Sequence, residues 1–291
     1  DLLLRDEDEP LGGGDEAEVG GVDPAVLEAE AALDHTVALA EPDGIADRRG
    51  GVVVRPEGGS LSLAIHTWGE GPQITLVHGW GLGSAAWSVA GHLLAKHFTV
   101  HRVDLPGYGD SPAQPDATLD DLADALAATL PPRSMLCGWS LGAMVCLATA
   151  VRHPRKVARL VLVGATASFV RREGWDEALP AAQLDAFRNA LADDPAALLK
   201  QFASLIHAGD AQARQAARAL RGCLAEGLPA DPQSLGAGLD LLATIDLRPL
   251  LGDVVQPTLL IHGSADPLMP VGAGERLLER LPSARLQVFE G

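Results

Sequence analysis

Gly138-Trp139-Ser140-Leu141-Gly142 closes one apolar run, Ser134 to Cys137, and opens another, Ala143 to Val151. A serine between two glycines at such a junction marks a strand that turns sharply into a helix. A Cβ on either flank would collide inside the bend. The turn lifts the serine hydroxyl out at the top of a sheet, so this one pattern constrains fold and chemistry together. With 32 glycines in 291 residues a chance match carries some weight. The flanking apolar runs, and three further motifs in a consistent order, outweigh it.

The first of these lies upstream. Ile74-Thr75-Leu76-Val77 reads as a buried strand running out into His78-Gly79-Trp80-Gly81, with Gly83 just beyond. In a serine hydrolase of this layout the loop after that strand and the residue after the nucleophile supply the oxyanion-binding N–H groups. Here those residues are Trp80 and Leu141. His78, ahead of the glycine turn, is expected to hydrogen-bond loop backbone and to take no part in the chemistry. The next strand, Thr99 to Val103, ends in Asp104-Leu105-Pro106-Gly107, where proline and glycine give Asp104 a turn role. Thr258 to Ile261 runs out into His262-Gly263-Ser264-Ala265-Asp266. Asp266 is the candidate acid that orients a histidine and stabilises its cationic form. Its other reading is a cap ahead of Pro267.

The coarse pattern from Leu61 onward is alternating. Strands are predicted at 61–67, 74–78, 99–103, 134–139, 158–164, 257–262 and 285–289, and helices at 85–96, 118–130, 141–152 and 271–281. Such alternation gives an α/β fold, a mostly parallel sheet with helices on both faces. Between Ala167 and Leu247 it stops, and four helical stretches follow at 178–192, 195–208, 210–226 and 232–243. This is an inserted helical cap, about residues 168–246. Phe202, Leu205 and Ile206 share one side of a cap helix. They either pack the cap to itself or line a pocket. Arg214 and Arg218, four apart, face one side of another, either as a solvated face or as a landing strip for an acidic carrier or a carboxylate.

Residues 1–60 carry 16 acidic and 4 basic side chains, interspersed with glycine, and read as an acidic, disordered extension ahead of a domain at 61–291. The acidic balance disfavours nucleic acid as a partner. No apolar run is long enough for a membrane helix. Cys137, Cys146 and Cys223 have no metal spacing, and neither a metal nor a cofactor is expected. Cys137 and Cys146 read as small core residues. An odd cysteine count without a framework points to a reducing, cytoplasmic compartment.

Taken together, LVHGWGLGSAAW, VDLPGYGDS, GWSLGAMV, REGW, ARQAARAL, DLRPLL and HGSADPLMP resemble the pimeloyl-[acyl-carrier protein] methyl ester esterases (BioH-type carboxylesterases of biotin synthesis), over about residues 64–291. The resemblance implies an α/β-hydrolase fold and a serine carboxylesterase acting on the methyl ester of pimeloyl-acyl-carrier protein. It also implies a Ser–Asp–His triad in which Ser140 and Asp266 are two members. By the same resemblance the cap helix with Phe202, Ala203, Ser204, Leu205 and Ile206 lines the acyl pocket. The acyl carrier protein is then the partner that Arg214 and Arg218 would meet, and a monomer is expected. Thioesterase, acyltransferase or other esterase chemistry shares the triad, and a non-catalytic binder shares the fold. Two departures stand out. Ala143 replaces a usual glycine. All nine histidines, at 35, 66, 78, 92, 97, 101, 153, 207 and 262, precede Asp266. The expected histidine would then fall a few residues beyond Gly291, in a chain cut at both ends.

Overall fold

The computed structural model describes the backbone of Val52–Val54 and residues 61–206 and 230–290. Eight strands form one sheet: β1 (Val52–Val54), β2 (Leu63–Trp68), β3 (Gln73–Val77), β4 (Thr99–Asp104), β5 (Ser134–Trp139), β6 (Val157–Val163), β7 (Thr258–Gly263) and β8 (Ala284–Phe289). Their order is β1-β2-β4-β3-β5-β6-β7-β8. β1 and β2 pair antiparallel, as do β2 and β4, and every other pair is parallel. The seven strands predicted from sequence are all present, with ends shifted by at most 2 residues. β1 was missed. It lies inside the stretch read as extension, and the sheet therefore begins upstream of Leu61. Three valines leave no alternation to detect, and it is the partner strand β2, Val53 opposite Ala64, that makes them a strand.

Helices α2 (Leu119–Thr129), α3 (Leu141–Arg152) and α7 (Val271–Arg280) match their predicted ranges closely. α2 starts where Thr118 and Asp121 cap each other's backbone N–H groups. The predicted helix at 85–96 is shorter. A 3-10 turn at Ser84–Trp87 comes first and α1 spans only Ser88–Leu94. The sheet separates two apolar layers. Leu136, Leu160 and Leu162 face α2, α3 and α7, while Ile74, Leu76, Cys137 and Val161 face α1 with Trp87, Leu94 and Phe98. Central strands are buried on both faces, which is why they read as continuous apolar runs. Cys137 and Cys146 are free and buried within these layers, and burial pushes the Cys137 thiol up to about 12.

Between β6 and β7 the chain leaves the sheet for the cap: α4 (Ala181–Asp193), α5 (Pro195–Leu205) and α6 (Pro232–Thr244). α5 and α6 begin alike. Asp194 and Asp231 accept from the N–H of Ala197 (3.0 Å) and Ser234 (2.9 Å), each with proline at the first helical position. The helix expected at 210–226, with Arg214 and Arg218, lies outside the described residues.

The cap's entry and exit are stapled together. Leu247 N–H donates to Ala167 O at 2.8 Å. Arg172 reaches the C-terminal carbonyls of α6, Ala243 O at 2.9 Å and Thr244 O at 3.1 Å, and Arg248 donates to Glu173 O at 2.5 Å. The Arg-Glu-Gly-Trp element is thus a neck. Gly174, at φ 70°, lets the chain double back, and Trp175 is fully buried with its Nε1 on Thr166 Oγ1 at 3.1 Å. Among the described residues no helix is long and apolar enough to cross a membrane.

Candidate active site

Ser140 stands between β5 and α3 with φ 53° and ψ −113°, a conformation that strains any residue with a Cβ. The backbone around it explains both glycines. A Cβ on Gly138 would sit 2.5 Å from Gly142 O and 2.6 Å from Ala143 N. One on Gly142 would strike Val77 O, and would lie 2.5 Å from His78 O. The turn is held by Ser140 N–H on Val163 O (2.9 Å) and by Ser140 O, which accepts from Ala143 and Met144. Leu141 N–H, first in α3, has no acceptor within its own helix and lies at the positive end of the helix dipole.

The loop after β3 packs directly on this turn: a Cβ on Gly79 would lie 3.4 Å from Ser140 Cβ. His78 anchors the loop from below, as read from sequence. Its Nε2 accepts from Leu105 N–H at 3.0 Å and its Nδ1 lies 2.8 Å from Gly79 O. Burial lowers its pKa, and Asp104 and the Gly79 carbonyl oppose that shift, so the ring works as a neutral peg. Tyr108 has a part that the sequence did not reveal. Its hydroxyl accepts from Gly81 N–H at 3.1 Å and its ring lies 4.7 Å from that of His78. Asp104 is a turn residue, accepting from Ser84 N–H (2.8 Å) and Asp110 N–H (3.3 Å). Burial alone would raise its pKa, but His66, His78 and Ser84 together hold it below the usual carboxylate range. Asp104, His66 and Asp110 form a metal-type cluster by composition, yet Asp104 in it is already committed to these backbone donors.

Asp266 leads the turn between β7 and α7, and the two readings of it are divided between its oxygens. Oδ1 accepts from Leu268 N–H (2.8 Å) and Met269 N–H (2.9 Å), which is cap-like bonding. Oδ2 lies toward the end of β6. A methyl group added at Gly164 would lie 3.6 Å from it and 3.7 Å from Trp139 Nε1. Burial raises the carboxyl pKa, opposed by the two N–H donors. His262, near the end of β7, has both ring nitrogens buried, and desolvation takes its pKa down to about 4 against the opposing pull of the Met269 main chain. It faces Gly274 and Leu286.

The cap closes the site from above. Trp80 is buried, with its ring 5.0 Å from Phe202 and 6.4 Å from Phe187. Phe202, Ala203 and Ile206 meet Leu82 and Trp139 in one apolar patch beside the Ser140 turn. Ser204 is exposed and donates to Lys200 O at 3.0 Å, two residues and so about half a turn along α5 from Phe202. Leu205 is half-buried and belongs to neither packed cluster. Leu199 joins the wall instead, with Cδ2 at 3.0 Å from where a Cβ on Gly81 would be.

A serine on a strained strand–helix turn, a glycine loop beside it and a half-buried carboxylate at the end of the strand next but one match one family model. Residues 72–291 fit the alpha/beta hydrolase fold. The chain belongs to the α/β-hydrolase family. Within it, the pimeloyl-[acyl-carrier protein] methyl ester esterase of Aromatoleum aromaticum is 46% identical over 224 residues, covering 75% of this chain and 89% of that protein. The esterase of the same name from Nitrosomonas europaea is 39% identical, covering 78% of this chain and 90% of that one. Identity at this level over this span makes the chain a member of that esterase family too. An esterase from Exiguobacterium antarcticum shares the α/β-hydrolase fold at a TM-score of 0.74 and 22% identity, covering 82% of this chain and 91% of that one.

Proposed function

We propose that this α/β-hydrolase is a serine carboxylesterase that hydrolyses the methyl ester of pimeloyl-acyl-carrier protein to the free acid and methanol. Its relatives carry that name, and the observation that supports the chemistry is the strained Ser140 turn with the Trp80 loop packed against it. Ser140 Oγ attacks the ester carbonyl. The oxyanion that forms is received by the N–H groups of Trp80 and Leu141, each worth about 3 kcal/mol when aimed at it. Methoxide leaves with a proton, and water then frees the acid from Ser140 by the reverse sequence. Asp266 Oδ2 orients and charge-balances the histidine that moves these protons, while Oδ1 keeps the carboxylate in place. The family order puts that histidine after Asp266, and we assign it to no residue of the present sequence.

Phe202, Ala203, Ile206, Leu199 and Phe187 form the wall along which the acyl chain lies. Arg214 and Arg218 would receive the acidic carrier. Ser140→Ala in the full-length enzyme should lower turnover of p-nitrophenyl esters on the order of 10⁶-fold if serine and histidine act as a unit. Retention of a few per cent of the activity would remove Ser140 from this role. Reversing both charges, Arg214→Glu with Arg218→Glu, should slow the carrier-linked methyl ester and spare small soluble esters. Equal losses on both substrates would point to a misfolded cap, and an unchanged rate on the carrier-linked ester would exclude the carrier site.

A further inference from the structure

Trp80 projects from the loop after β3 into the cap. Gly81 and Gly83 turn the loop at φ 74° and 75° and bring no side chains of their own. His78 and Tyr108 fix the main chain on either side of Trp80. The indole itself is bonded to the cap, with Nε1 donating to Leu235 O in α6 at 2.8 Å. α6 is shaped to receive it. At Gly238 a Cβ would lie 2.6 Å from Trp80 Cδ1 and 3.2 Å from Nε1. α4 and α5 complete the socket with the rings of Phe187 and Phe202. All three described cap helices therefore grip one residue, and the same residue carries an oxyanion donor.

We infer that the Trp80 indole is a positioning group that couples the seating of the acyl chain under the cap to the placement of the oxyanion-binding N–H. The inference rests on the esterase reading above. Oxyanion donors act only when their distance to the developing charge is right, and a displacement of about 1 Å can cost roughly 100-fold in rate. An acyl chain lying against Phe202 and Phe187 presses on the atoms that hold the indole. The cap then contributes to kcat as well as to KM. Long chains gain rate because they settle the donor, and short ones lack this gain.

The test uses the full-length enzyme with p-nitrophenyl octanoate and p-nitrophenyl acetate. Trp80→Phe keeps the main-chain donor and an aromatic ring but loses Nε1–H. The ratio of kcat on octanoate to kcat on acetate should fall roughly tenfold, the loss of one hydrogen bond, with KM for octanoate changed less than twofold. Gly238→Ala leaves the indole intact and pushes α6 away from it, and should give the same signature if Trp80→Phe folds poorly. A higher KM with unchanged kcat in both variants would overturn the coupling and leave the indole a pocket wall. Equal kcat losses on both esters would overturn it as well. Ser140→Ala is assayed alongside. If it keeps turnover, the esterase reading has failed. If it abolishes turnover while Trp80→Phe changes only KM, the coupling alone has failed.

Discussion

At the Ser140 turn the decisive contacts are between main-chain atoms, whereas under the cap they are between side chains. Gly138 and Gly142 leave room for carbonyl oxygens and for the backbone of Ala143, and nothing larger than hydrogen fits. Phe187, Leu199 and Phe202 meet Trp80 and the glycine loop through rings and methyl groups that can re-pack. The first region tolerates almost no substitution and the second tolerates many of similar volume. In the proposed function, chemistry is built on the rigid region and selection of the acyl group on the adaptable one.

The hardest test of that contrast is Gly138→Ala. The added methyl falls on backbone that cannot step aside, so stability should drop by about 3 kcal/mol and activity by roughly 100-fold as Ser140 shifts. Chemical denaturation and esterase assays measure both, and a well-folded, active Gly138→Ala enzyme would erase the distinction. Phe202→Leu serves as the matched control in the cap and should fold normally.

A second test concerns His262, at the end of β7 and close to the catalytic edge. Its folded pKa of about 4 lies below the ordinary 6.5, so the unfolded chain binds the extra proton between those values. Stability should therefore fall as pH drops from about 6.5 towards 4, by up to about 3 kcal/mol from this residue. His262→Leu should flatten that part of the profile and leave the contribution of the other buried histidine, His78, in place. An unchanged slope in urea melts across this window would show that the ring finds solvent or a partner.

The smallest effect is expected at the neck. Arg172→Ala removes the bonds to Ala243 O and Thr244 O from a partly exposed side chain, which is worth about 1 kcal/mol. Melting should change little, while KM for long acyl esters rises roughly fivefold. If short esters suffer equally, the neck supports the sheet edge as well as the cap.

The same contrast governs what the sequence could reveal. The turn at Ser140, the glycine loop after β3, the strand end ahead of Asp266 and seven strands were legible because glycine spacing and continuous apolar runs record main-chain demands directly. β1 was not, since three residues depend wholly on their partner strand. Ser204 was grouped with the pocket wall through the resemblance of its whole helix, which does not separate one side of the helix from the other. Tyr108 and Arg172 were visible as motif members, but their roles depend on contacts with residues far away in the chain. Gly81 lies 27 positions from Tyr108 and Ala243 lies 71 from Arg172.

The neck has a consequence for how such proteins diversify. Leu247 N–H on Ala167 O brings the chain back to where it departed, so the cap leaves and rejoins the sheet at two adjacent ends. Closing a loop of different length between fixed ends costs little more, because the entropy of closure grows only with the logarithm of length. Cap helices can then be lengthened, lost or exchanged between lineages while the strands beneath keep their register. Ala167 and Leu247 are the seams at which a foreign cap could be grafted, provided it returns a carbonyl for the indole of Trp80.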